Sequence, residues 1–447
     1  MPHFLDSIAV ALPAMAVVLG LLILIHEWGH YAAAKLFKVR VEVFSIGFGK
    51  RLLGFRKGDT DYRISAIPLG GYVKMSGENP MDERTDDPGE FLNHPRWQRF
   101  VIAIAGPFMN IVLAVGLLTV VYMVHYEYPA FIDQPGVIAW VKPDSPAAQG
   151  GLQPGDRVTR IAGIQNPTWE QIGLKVMLNP NEQLPVTVNR GGQVLEKTIV
   201  PKPVSTSEIG NAGWNADESI IVADVEKDMP AAKAGIREGD LIVAVDGNPV
   251  PAIEALIDTL QQTRDRVVSV DVLRNGQKLT FPLQPVLAGN EEKQKRYRVG
   301  FESTPLMKIG RLSLIPAFQR SLEDNKRYSF VLLELIQKMV QRKVSMRQVE
   351  GPIGIGSAIG HAVTEKGWTP LLGLTAGISL NLGIFNLLPI PILDGGVILL
   401  LLIESLMRRD ISLQIKERIY QAAFVFLVLF AVTVIYNDIV KRWPLGS

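Results

Sequence analysis

A chain of 447 residues that is 47% hydrophobic, with a mean hydropathy of +0.18, is too apolar for an ordinary soluble protein and points first to a membrane class. Its 46 Lys and Arg against 44 Asp and Glu leave a formal net charge of +2, so no overall field recruits nucleic acid and none is expected as a partner. Cysteine is absent, which excludes disulfides, thiolate metal sites and cysteine nucleophiles and leaves His, Asp and Glu to bind any metal.

Residues 1–37 predict a first transmembrane helix. The run from Ser7 to Ile25 has no charged side chain and is long enough for a hydrocarbon core of about 30 Å. A cleaved signal peptide is the competing assignment, but Met1 to Asp6 has no basic region, and the helical pattern continues through His26 to Phe37 without a processing site. At the end of the run stands His26-Glu27-Trp28-Gly29-His30, an H-E-x-x-H pattern. Residues four apart share a helical face, so both imidazoles can reach one tetrahedral Zn2+ at about 2.0–2.1 Å. Glu27 is offset by one position and can act as general base. The plainer alternative is a polar cap where the helix leaves the bilayer, but ionisable residues so closely spaced at the end of an apolar span call for a partner.

Residues 38–78 read as β-structure associated with the membrane. From Val39 to Met75, β-branched and aromatic stretches are broken by Gly47, Gly49, Gly54, Gly58 and the Gly70-Gly71 pair, the pattern of hairpins. Open strand edges are not tolerated in lipid, so such strands belong beside protein or a polar cavity. A linker over residues 79–100 leads to a second transmembrane helix at 101–125.

Next comes an internal repeat. Pro146, Ala147, Ala148, Gly151, Gly155, Asp156 and Gly163 recur at one constant offset as Pro230, Ala231, Ala232, Gly235, Gly239, Asp240 and Gly247. Each copy supplies a short Ala-containing helix, a Gly-Asp turn and a β-branched strand, which predicts two homologous α/β domains at residues 137–205 and 215–285. Both resemble the PDZ domain in its circularly permuted bacterial form, a fold that binds extended peptide by strand addition. A folded spacer that binds nothing stays open as the alternative. Residues 318–350 have helical amphipathic spacing, suited either to the membrane surface or to packing on the PDZ pair.

A third transmembrane segment at 370–407 contains Asn386-Leu-Leu-Pro-Ile-Pro-Ile-Leu-Asp394-Gly395-Gly396. Pro389 and Pro391 interrupt its helix, and a carboxylate at such a break suits a third metal ligand. The competing role for Asp394 is a cap of the helix that follows. A fourth transmembrane helix is predicted at 413–440. Basic residues from Lys35 to Lys57 and from Arg408 to Arg418 place these two connecting loops on the cytoplasmic side, and both termini and the repeats on the opposite face. Lys441 and Arg442 run against that orientation.

Taken together, HEWGH, FSIGFG, PLGGYVKM, GPFMN (Gly106 to Asn110), the PDZ repeats and NLLPIPILDGG resemble, in order and over nearly the whole chain, the bacterial site-2 protease family in its sigma-E-regulating branch. The resemblance implies a polytopic α-helical inner-membrane protein with four transmembrane helices, a membrane-associated β-hairpin loop and two periplasmic PDZ-like domains. It implies an intramembrane zinc metalloprotease with one catalytic Zn2+ held by His26, His30 and Asp394 near the cytoplasmic side, and with Glu27 activating water. Asn386 would hydrogen-bond the substrate backbone, and Gly70, Gly71 and Tyr72 of the β-loop would pair with the substrate strand. Substrates would be single-span proteins in the lipid bilayer, such as an anti-sigma factor or signal-peptide remnants. A non-catalytic PDZ adaptor and a metal transporter are the rival functions. Relatives often carry His where this chain has Val397.

Overall fold

A computed structural model describes residues 2–79, 85, 87–204, 209–289, 295–344, 349–364 and 367–442; Pro444 to Ser447 and part of the predicted 79–100 linker lie outside the described residues. The chain divides into two units. One comprises Met1–His125, Arg311–Leu333 and Val349–Ser447, the other Tyr126–Gly310 and Glu334–Gln348.

The first unit begins with α1 (Pro2–Leu36), which carries the apolar run straight into the H-E-x-x-H pattern. It ends in a Schellman motif: Lys38 takes φ 65°, Val39 N–H donates to the Ala34 carbonyl at 2.9 Å and Lys38 N–H to the Lys35 carbonyl at 3.1 Å. This stop delivers the chain into β1 (Val41–Lys57) and β2 (Thr60–Met75), an antiparallel hairpin. Both strands are bent. Val43 pairs with Asp61 as well as Lys74, and Phe44 with Tyr62 as well as Val73, so the hairpin folds back on itself and is four strands wide. Residues 71–75 form one of its edges.

Helix α2 (Arg96–Val124) starts right after Pro95 and packs on α1. Small residues allow the approach, since a β-carbon on Gly29 would lie 2.3 Å from the Ala105 carbonyl oxygen. Helix α3 (Leu314–Val340) is amphipathic. It starts before the predicted 318 and stops well short of 350, where Arg342 adopts φ 58° and breaks the helical path.

An unanticipated helix, α4 (Pro352–Thr364), buries Ile359 against Val18 and Leu22 of α1. The predicted third segment is two helices, α5 (Thr369–Asn386) and α6 (Asp394–Met407), separated by the proline-containing stretch. Helix α7 (Leu413–Arg442) follows. Its buried Asp438 accepts the Gly351 and Gly354 N–H groups, each at 3.0 Å, and so caps the N-terminus of α4 from a distance. Among the described residues three helical stretches, Ala11–Leu36, Arg96–Val124 and Leu413–Lys441, are long and apolar enough to cross a membrane. The 18-residue α5 is not among them.

The second unit holds the repeats. A four-stranded sheet runs in the order Ile164–Gln165, Arg157–Ile161, Leu184–Arg190, Gln193–Ile199. The other sheet runs Gln277–Leu283, Val268–Arg274, Leu241–Val245, Ile221–Val225, Phe301–Thr304, with Asn248–Pro249 also on Leu241–Val245. Each sheet closes over one helix, Trp169–Leu178 or Ile253–Thr263, and a separate apolar core. Burying one Val or Ile in such a core contributes roughly 1.5–3 kcal/mol. The cores overrun the predicted limits of 205 and 285. Ala212, Trp214 and Ala216 belong to the first and Val299 to the second, because each repeat draws its last segment from beyond its hairpin.

The same ion pair recurs in both repeats. The Arg190 guanidinium donates to buried Asp156 at 2.6 Å and to the Gly151 carbonyl at 2.8 Å; Arg274 does the same for Asp240 at 2.7 Å and Gly235 at 2.8 Å.

Candidate metal centre

His26 and His30 lie one turn apart on α1 and are both buried. The proline-containing break after α5 turns the chain so that α6 begins on Asp394 and points its carboxylate at them. The break is tightly folded: a β-carbon on Gly395 would stand 2.3 Å from the Leu387 carbonyl, and one on Gly396 2.3 Å from that of Ile390. Only glycine fits at either position.

The three candidate ligands converge. His26 Nε2 is 3.1 Å from His30 Nε2 and 3.2 Å from Asp394 Oδ2, and His30 Nε2 is 3.4 Å from Asp394 Oδ1. Donors about 2.0–2.1 Å from a tetrahedral zinc stand about 3.3 Å apart. The donor set therefore fits zinc in both chemistry and spacing. His30 Nδ1–H donates to the Ile102 carbonyl of α2 at 2.8 Å, which leaves Nε2 with its lone pair facing the cluster.

Glu27 points to the same place without joining the ligand set. Its Oε2 accepts the Val73 N–H at 2.9 Å, so the edge of the β-sheet holds the carboxylate still. Two residues on, Met75 N–H donates to Glu78 at 3.1 Å. Burial pushes the Glu78 carboxyl above its ordinary range.

A cavity of about 740 Å³ opens onto this cluster. Asn386, Gly71, Tyr72 and Val397 line it together with His26, Glu27, His30 and Asp394. Gly70 is not in the lining; a β-carbon there would stand 2.6 Å from the ring of Phe48, which is, and its φ of 124° is one that residues with a side chain rarely adopt. Arg99, Glu404, Lys416 and Tyr420 also line the cavity and were not anticipated, with Lys416 and Glu404 forming a buried ion pair at 2.7 Å. Their signal was present, since buried charge near an apolar span needs a partner.

The sequence matches peptidase family M50 over residues 14–430. The chain belongs to that family. As an M50 member it is similar to a Vibrio cholerae protein assigned by name as a zinc metalloprotease, 30% identical over 457 residues that cover 96% of this chain and 98% of that protein. It is also similar to the regulator of sigma-E protease RseP of Salmonella typhimurium, 30% identical over 470 residues covering 97% and 99%. The protein of the same name in Escherichia coli is 29% identical over 458 residues, covering 96% and 98%. A solved PDZ domain from Listeria monocytogenes matches 20% of this chain at 20% identity with a TM-score of 0.18, too slight a likeness to argue from.

Proposed function

We propose that this M50 peptidase is an intramembrane zinc metalloprotease in which His26, His30 and Asp394 hold one Zn2+ and Glu27 is the general base. The observation that supports this most is the convergence of three candidate ligands, with His26 Nε2 3.1 Å from His30 Nε2 and each imidazole within 3.4 Å of a different oxygen of the Asp394 carboxylate, and with Glu27 beside them and outside the ligand set. When bound, zinc supplies a Lewis acid that draws electrons from a carbonyl oxygen and exposes its carbon to attack by water.

The chain's own residues do the rest. Glu27 Oε2 is engaged by Val73 N–H, which leaves Oε1 to take the proton of the attacking water and pass it to the departing amine nitrogen. A substrate helix hides its carbonyls in its own hydrogen bonds, so it must be drawn into an extended strand before it can be cut. The sheet edge at Gly71 and Tyr72 offers main-chain groups on one side of the cavity, with Gly70 fixing the bend, and Asn386 bonds the strand from the other.

On this reading the protein spans the inner membrane four times, α5 with α6 supplying the third passage. Its active site lies near the cytoplasmic side, and both termini and the PDZ-like repeats are periplasmic. The repeats govern which substrates enter and take no part in bond cleavage. The relatives named for sigma-E regulation support a role in a sigma-E stress response. Its substrates would be single-span, such as an anti-sigma factor, with signal-peptide remnants as a second class. The test is to reconstitute the protein and measure zinc content and cleavage of a single-span substrate, native against Glu27→Gln. Native protein should hold zinc and cut, and the variant should hold zinc and not cut. A native protein without zinc, or a variant as active as native, would overturn the reading.

A further inference from the structure

The two histidines of the centre are not held alike. His30 has a protein acceptor for its outer nitrogen in the Ile102 carbonyl at 2.8 Å. The outer nitrogen of His26, Nδ1, instead faces the side-chain amide of Asn110, whose Nδ2 lies 3.2 Å away. Asn110 is fully buried, and its Oδ1 has no hydrogen-bond partner among the described residues. A polar side chain in the middle of an apolar helix, half satisfied, needs a reason to be there.

The reason follows from protonation. For His26 Nε2 to offer a lone pair, its proton must sit on Nδ1. An Nδ1–H facing an amide N–H is then a clash of two donors. Half a turn of the amide exchanges its nearly isosteric oxygen and nitrogen, gives the Nδ1–H an acceptor and gives the orphaned oxygen a donor.

We propose that Asn110 is the positioning residue of His26: its Oδ1 accepts the Nδ1–H, fixes the tautomer with Nε2 toward the metal, and holds the ring in place. This rests on the zinc reading above. Ile102, Gly106 and Asn110 lie four apart on one face of α2, so one helix serves both histidines. Gly106 makes room, since a β-carbon there would stand 2.2 Å from His30 Nε2. The Asn110 backbone is itself anchored, its carbonyl accepting the Ser379 Oγ–H of α5 at 2.8 Å.

The test compares purified native protein with Asn110→Leu, which removes the acceptor at similar volume, and Asn110→Asp, which keeps an acceptor and loses the amide donor. Zinc affinity is read by chelator competition, the visible spectrum of the cobalt-loaded protein reports the ligand field, and thermal melting without metal reports folding. Asn110→Leu should weaken zinc on the order of 10- to 100-fold and alter the cobalt bands. Asn110→Asp should stay within a few-fold of native with native-like bands. Native zinc affinity and cobalt bands in Asn110→Leu would overturn the proposal. Should Asn110→Leu fail to fold, Asn110→Asp decides alone, and a tenfold or greater loss in it would overturn the proposal. Failure of the zinc reading is distinguishable, because the native protein itself would then bind no zinc.

Discussion

Both units withdraw carboxylates from water, and the partners they meet set their roles apart. Asp156 and Asp240 each meet a guanidinium fork and a backbone N–H, so their acceptor sites and their charge are already matched. Asp394 meets two imidazole nitrogens whose other nitrogens are engaged elsewhere, so lone pairs of three side chains converge on one point. A carboxylate saturated by arginine builds a fold, whereas one facing histidine lone pairs leaves a place for a metal ion.

The largest effect should come from Asp394→Asn, which breaks the contrast at its metal end. Zinc occupancy should collapse and turnover fall by roughly a thousandfold or more, as should His26→Ala and His30→Ala, read by metal analysis and a cleavage assay. Full zinc and turnover in Asp394→Asn would mean the third ligand is elsewhere. Glu27→Gln sharpens the same end. It should cost about 100- to 10,000-fold in rate with zinc retained, and stoichiometric loss of zinc would make Glu27 a ligand.

At the structural end, Asp240→Asn should lower the melting of the repeat unit by on the order of 5 °C while zinc content and cleavage of a short single-span substrate stay native. A matching loss of zinc would erase the distinction. The smallest effect is on pH. Burial opposes ionisation of Asp156 and Asp240, but their arginine hydrogen bonds outweigh it and hold both carboxyls below the usual range. Such a group stabilises the fold above its unfolded value of about 3.9 and loses that contribution as pH falls through its folded value. The repeat unit should thus weaken as pH falls below about 4, with a shallower decline in Asp240→Asn. Equal slopes by calorimetry would show that the pair carries no such linkage.

What could be read from the sequence follows the same division. The four-residue spacing of His26 and His30 places them on one face of any helix, and prolines beside a lone acid mark the break at Asp394, so the cluster was legible residue by residue. The repeat was legible through its glycines and alanines. Arg190 and Arg274, which tie each repeat together, stayed hidden because a conserved offset says nothing about which side chains touch. Helix α4 was hidden for a similar reason. Its glycine-rich start, Gly351-Pro352-Ile353-Gly354, reads as a loop until Asp438 supplies the cap. Asn110 was visible as a motif residue but not as the neighbour of His26, since that proximity exists only once α1 and α2 have packed.

The cap that Asp438 places on α4 also sets an order of assembly. During synthesis α1 and α4 emerge long before α7, yet the N–H groups of Gly351 and Gly354 have no acceptor until Asp438 arrives. The N-terminus of α4 therefore gains its protein cap only after most of α7 has been made. Asp394 precedes that cap but rides on α6, whose buried Glu404 waits for Lys416 of α7. The histidine pair on α1 is thus made well before Asp394, and the three side chains can meet only once α6 has emerged and packed.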